Sequence, residues 1–263
     1  MRIVKLPVIL ALAGTVFVPA ASASGGPQTT WAKVGRKPLS DRAAASRVRH
    51  VQENRPANTQ YNRYYVTNAD LRTFRTTKDS RHHQTSVHEN PWNAYVTGRS
   101  FLRRPSTDDL IQWAAFKWGI PVDLLRAQTA FESGWLMNNP GDLTKVRRAR
   151  YRRYSPAFRR PGLLVWQSAG ITQIKWLPDG SVNVGTEPLR RKSTAFDLDY
   201  MGATIRYYYD GKCNWCGKGY HARQGWLSIG AWNRPKPWGN ARQWWYVGRV
   251  KHDLATRAWT QYK

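Results

Sequence analysis

Between Pro105 and Gly134 the chain carries back-to-back helix signals, and two helices set end to end restrict how the remainder can fold. Ser106 and Asp109 form a capping box ahead of an apolar stripe of Leu110, Trp113, Ala114 and Trp118 at helical spacing. Gly119 and Pro121 end that helix. A second helix begins at once near Pro121 and runs to about Ser133, where Gly134 stops it. Downstream, Thr194 and Asp197 read as another capping box, opening a helix with Leu198, Met201, Gly202 and Ile205 inward and ending at Asp210-Gly211. An amphipathic helix is expected from about Ala241 to Ala258, with Trp244, Val247, Val250 and Leu254 on one face. Between Leu143 and Trp176 the residues favour short strands and turns. Helices around a small irregular β region make an α+β body, mostly α, over residues 106–263.

The other parts of the chain read differently. Arg2 and Lys5, the apolar run Leu6 to Val18 and the Ala21-Ser22-Ala23 site form a secretory signal peptide, residues 1–23, cleaved after Ala23. The run is too short to span a bilayer and no later stretch is apolar enough, so an exported protein without a transmembrane segment is expected. Residues 24–105 hold 15 Lys/Arg against 5 Asp/Glu and few aliphatic side chains. They read as a poorly ordered basic extension, disordered or wrapping, with Gln52 to Arg63 as a linker.

Glu132 stands out among the carboxylates. Leu125, Gln128 and Glu132 share one helical face, which puts a carboxylate at the edge of a buried surface. It also sits in a last turn, where the helix dipole is negative. Both effects disfavour ionisation, and a raised pKa suits a general acid near neutral pH. The plain alternative is an exposed Glu at a fraying end. The nearest second carboxylate is Asp142, in Pro140-Gly141-Asp142; Asp197 is assigned to capping and Asp199 to the solvent face.

Three segments occur in order: Ala130-Phe131-Glu132-Ser133-Gly134-Trp135, then Ala169-Gly170-Ile171-Thr172-Gln173, then Leu227-Ser228-Ile229-Gly230-Ala231-Trp232-Asn233. This trio resembles the Glu-Ser, Gly-x-x-Gln and Ala-Tyr-Asn-type motifs of the soluble lytic transglycosylases, relatives of goose-type lysozyme. Gly119 to Gln128 also looks like that family's approach to its catalytic helix. The resemblance covers about residues 106–263. It implies a lysozyme-like fold, Glu132 as acid/base, Ser133 orienting the site, Gln173 contacting the sugar, and Trp232 and Asn233 lining the cleft. The chain departs from the pattern where Trp232 replaces Tyr, and Tyr200 is the candidate to supply the missing hydroxyl. The implied reaction cleaves the β-1,4 bond between N-acetylmuramic acid and N-acetylglucosamine of peptidoglycan. Attack by the muramoyl 6-hydroxyl leaves a 1,6-anhydro end; a water held by Asp142 would make the chain a muramidase instead. A catalytically silent glycan-binding protein of the same fold is the competing reading.

Aromatic faces pack on pyranose rings. Trp135, Trp166, Trp232 and Trp238 are candidates for a cleft, whereas Trp113 and Trp244 are expected in the core. The net charge of +26, concentrated in part between Lys145 and Arg160, points to glycan strands beside anionic wall polymers as partners. The absence of a nucleic-acid-binding motif argues against nucleic acid. Cys213 and Cys216 are expected to form a short-loop disulfide after export. His82, His83 and His88 read as surface residues, and neither metal nor cofactor is called for. A monomer suffices.

Overall fold

The computed structural model describes residues 29–145, 164–177 and 180–262; residues 1–23, expected to be a signal peptide, and the basic run after Lys145 lie outside them. Helix α1 spans Asp41–Ala45, α2 Thr59–Asn62, α3 Asn68–Thr76, α4 Ser86–Glu89, α5 Thr107–Trp118 and α6 Val122–Ser133. Four short strands follow: β1 Leu143–Lys145, β2 Leu164–Trp166, β3 Ser168–Ala169 and β4 Ile174–Lys175. Helices α7 Thr194–Tyr209, α8 Gly225–Asn233 and α9 Ala241–Thr256 complete the order. The class is α+β, mostly α. The strands pair only as two antiparallel ladders, Leu143 opposite Trp166 and Ser168 opposite Lys175. No helix among the described residues is long and apolar enough to cross a membrane.

The start of α5 follows its expected chemistry: Ser106 and Asp109 each accept from the other's backbone N–H. Gly119 ends it with φ +63 and Gly134 ends α6 with φ +61, both in the left-handed region where a Cβ is costly. Helix α7 is the central element. Fifteen of its residues are buried, and it lies against α5, where Gly202 admits the Trp118 indole; a Cβ there would stand 2.2 Å from Trp118 Cδ1. Helix α9 packs on both α6 and α8 through Tyr246, Val247 and Val250.

Three expectations are corrected. The cap of α7 is Ser193, whose Oγ accepts from Phe196 N at 3.1 Å. Asp197 is fully buried inside the helix and is not a cap. In α9, Trp113's expected counterpart Trp244 faces outward at 49% exposure, because Tyr246 and Gln243 take the inner face. Asp199 is buried rather than solvent-facing.

Order does not begin at Pro105. Residues 29–105 wrap the body, the second of the two alternatives for this segment, and the poorly ordered alternative is corrected. Val66, Leu71, Phe74, Trp92 and Val96 join the same core as α5 to α9. Ala32 N bonds Gly119 O at 2.8 Å and Leu39 N bonds Lys117 O at 2.9 Å. The stretch read as a linker holds α2, and its Asn58 is buried between Thr107 Oγ1, Trp135 O and Met137 N. Buried asparagines bonded to the body stand in for an aliphatic core there, so composition alone hides the order.

Candidate active site

Glu132 lies in the last turn of α6, one residue before the terminal Ser133. Gln128 and Glu132, one turn apart, meet Tyr246 of α9. The Tyr246 hydroxyl donates to Glu132 Oε1 and accepts from Gln128 Nε2 at 3.2 Å. Solvent still reaches part of the residue, yet protein atoms crowd its carboxyl. Burial pushes the Glu132 pKa from 4.5 up to about 8, opposed by the Tyr246 bond, reinforced by the Asp142 charge and opposed again by the Trp232 indole. Burial and the neighbouring Glu132 together raise the Tyr246 phenol well above its ordinary value, so it remains a donor. Glu132 is therefore a protonated acid at neutral pH, set beside a fixed hydroxyl.

The turn Gly170 to Gln173, between β3 and β4, gathers the other motifs. Its Ile171 carbonyl accepts from Ser133 Oγ at 2.8 Å and its Thr172 carbonyl from Trp232 Nε1 at 3.0 Å. Gln173, itself at φ +54, donates through Nε2 to Gly170 O at 2.9 Å and Asn139 O at 3.2 Å. That second bond ties down the loop carrying Asp142. Asp142 N donates to Ser168 Oγ at 2.9 Å, while its carboxylate is exposed and close enough for its charge to act on Glu132. Behind the turn, a Cβ on Gly170 would stand 1.9 Å from Asp197 Oδ2, so only glycine fits. Burial drives the Asp197 pKa well up, with Arg190 opposing.

The structure thus brings together Glu132, Ser133, Gln173, Trp232 and Asp142. Ser133 Oγ and Gln173 Nε2 bond backbone atoms of the turn and loop, so both side chains help position the site. Tyr200 is not the missing hydroxyl: its OH donates to Asn183 Oδ1 at 2.8 Å, and its ring buttresses Trp232 with centroids 6.2 Å apart. Tyr246 fills that role. The sequence signal was present, since Tyr246 sits between Gln243 and Val247 and Val250 on the inner face, but nothing in the motifs singled it out. Trp135 is a core residue, 1% exposed, its indole donating to Arg126 O at 3.0 Å. Trp238 packs against Tyr220 and Tyr208. Asn233 is exposed and accepts from Arg242 Nε at 3.3 Å. Trp166, 43% exposed and paired with Leu143 next to Asp142, remains free to meet a ligand. Phe131 and the exposed Trp245 add aromatic surface beside Tyr246, their rings 5.9 Å apart. Cys213 and Cys216 are joined in a disulfide.

An apolar cavity of about 460 Å³, lined by Trp31, Pro121, Leu124, Tyr209 and Trp226, opens at the opposite end of α6. At 1.5 Å per residue that is about 15 Å from Glu132. Its one acid, Asp123, is paired with Arg126 at 2.8 Å, so it holds no group poised for proton transfer. Asp79, His82 and Glu89 approach within 4.8 Å of one another, but both Asp79 oxygens are taken by the N–H groups of Arg81, His82 and Gln84. That cluster is a closed turn.

Replacing Tyr246 by Phe removes a bond that favours the carboxylate and strands the Gln128 amide. The alkaline limb of a pH–rate profile should move upward and kcat should fall about tenfold. Thermal unfolding should register a loss of about 1–3 kcal/mol. An unmoved limb would show that the hydroxyl does not govern Glu132.

Comparisons of the chain with protein-family models, with curated proteins and with solved structures give no match.

Proposed function

We propose that this chain cleaves the β-1,4 bond between N-acetylmuramic acid and N-acetylglucosamine in peptidoglycan, on a lysozyme-like body, after export through its N-terminal signal. The observation that carries the proposal is the Glu132 carboxyl, kept protonated to about pH 8 at the end of a buried helix and held by Tyr246. A protonated carboxyl of this kind can give its proton to the bridging glycosidic oxygen as the bond to the anomeric carbon breaks. The substrate's own N-acetyl group stabilises the positive centre. Glu132, now ionised, then takes the proton of the muramoyl 6-hydroxyl as that oxygen bonds to the anomeric carbon. One carboxylate serves twice, and the product carries a 1,6-anhydro end. Trp232 and Trp166 offer faces to the sugars, and the positive charge of the chain favours encounter with an anionic wall.

Mass spectrometry of soluble products from purified peptidoglycan tests this. Muropeptides lighter by one water are expected; hydrated products would overturn the anhydro route, and no soluble product from the wild-type protein would overturn cleavage itself.

Asp142 supports a second route, because an exposed carboxylate on the Glu132 side could hold a hydrolytic water. Under the anhydro mechanism, Asp142→Asn removes a charge that raises the Glu132 pKa. The alkaline limb should then shift downward with the product unchanged. Loss of all turnover with hydrated products in the wild type would assign Asp142 to a muramidase.

A further inference from the structure

Residues 62–66, 98–102, 104 and 105 line a groove of about 210 Å³ over Ala195. Ala195 lies in the first turn of the sixteen-residue α7, so the positive end of a long helix sits at the base. No acidic side chain is among the lining residues. Arg63 and Arg104 are exposed, with no ion pair among the described residues. Arg99 is fixed by neutral acceptors, Nε to Val66 O at 2.6 Å and Nη2 to Asn68 Oδ1 at 2.9 Å, which hold its charge without cancelling it. Tyr65 at 68% and Phe101 at 57% are the two most exposed large apolar side chains among the described residues, and both face this groove. Phe101 and Arg104 adopt φ +57 and +52, a region that bulky L residues avoid unless their surroundings enforce it. Exposed aromatics, uncancelled arginines and a strained backbone converge here, on a segment with no role in the Glu132 site.

We propose that this groove binds a phosphodiester-linked polyol chain of the cell wall. Phosphates would meet Arg63, Arg99 and Arg104, and the carbon backbone would lie against Tyr65 and Phe101. The choice of a wall polymer rests on the reading of the chain as a wall-cleaving enzyme. Phosphates fit better than nucleobases because each ring already carries a guanidinium, Arg99 over Tyr65 at 5.0 Å and Arg42 over Phe101 at 4.8 Å. Recognition of single-stranded nucleic acid leans on open aromatic faces.

The test is co-sedimentation of the chain from Ser24, carrying Glu132→Gln so that the wall is not consumed. Walls bearing polyol-phosphate polymers are compared with the same walls stripped by hydrofluoric acid, with single-stranded DNA as a separate ligand. Stripping should lower retention about tenfold. Arg63→Gln with Arg104→Gln should lower retention on untreated walls about tenfold and barely change it on stripped walls. The Lys pair at the same positions should restore most of it. Equal retention on both walls would overturn the proposal. So would a double variant that loses DNA binding but keeps polymer-dependent retention, which would make nucleic acid the partner. A Lys pair as defective as the Gln pair, with a lowered melting temperature, would reduce the groove to a structural role. Polymer-dependent retention without any cutting by wild type would overturn the cleavage reading alone; cutting with equal retention would overturn the groove alone.

Discussion

Glu132→Gln should cut the release of soluble muropeptides by at least about a thousandfold while the protein stays folded. A positioned general acid contributes about 10²- to 10⁴-fold, and in the proposed reaction the same group also acts as the base of the second step. Gln preserves shape and can still accept from the Tyr246 hydroxyl, so the loss would be chemical. The pH dependence has a definite sign. In the proposed reaction Glu132 acts first as an acid and must be protonated, so wild-type rate should fall as pH rises through about 8. Stability runs with it. Below pH 4.5 both folded and unfolded chains hold the proton and the residue is neutral to stability. Between 4.5 and about 8 the unfolded chain ionises while the folded one resists, so stability falls with rising pH. Gln carries no such cost. Because water still reaches part of Glu132, the gain on substitution should be only about 1–2 kcal/mol at pH 8.5, with none at pH 4. Product analysis together with melting curves at the two pH values checks both halves. Turnover retained by the variant would remove Glu132 from the chemistry.

Asp199→Ala should cost about 3–5 kcal/mol, the usual result of stripping one partner from a buried ion pair. The carboxylate is wholly buried. It accepts from Lys117 Nζ at 2.7 Å, Trp118 Nε1 at 2.7 Å, Thr97 N at 2.8 Å and Gly98 N at 2.9 Å. Two of these donors belong to α5 and two to the wrapping segment, so one side chain pins both to α7. Lys117 is 2% exposed and would keep one carboxylate, Asp41 at 2.6 Å, with Thr97 Oγ1 at 3.4 Å as a neutral acceptor. Urea unfolding gives the measurement, and Asp70→Ala, which removes the N3 partner of Thr67 in the α3 capping box, serves as the comparison at about 1 kcal/mol. A loss no larger than that of Asp70 would mean the wrap does not depend on Asp199.

Helices α5 and α6 were legible because periodicity, capping box and left-handed glycines all speak within short windows. The wrapping segment was not. Its core residues occur singly, in helices of four to nine residues, and buried asparagines stand in for aliphatic side chains. Asp199 shows the same limit: a carboxylate reads as exposed until the donors that saturate it are placed, and those donors lie on distant segments. At the site, Glu132 and Asp142 were found by local reasoning. Gln173 and Ser133 are legible as motif members, but their bonds to the backbone of the turn and loop emerge only in the fold. Tyr246 escaped because its meaning arises only when α9 packs on α6.

The wrap also sets an order of events. Asn54 reaches Tyr262 O across 208 residues of chain, and Arg206 reaches Ala32 O across 174. A polypeptide made from its amino end therefore displays residues 29–105 long before their partners exist, and contacts of such span form slowly. Glu132 waits as well, since the hydroxyl that holds it arrives 114 residues later. During synthesis the carboxyl lacks this environment and stands open to water. Glu132 becomes an acid at neutral pH only once α9 has docked, so the chain acquires its candidate acid with the last helix to be made.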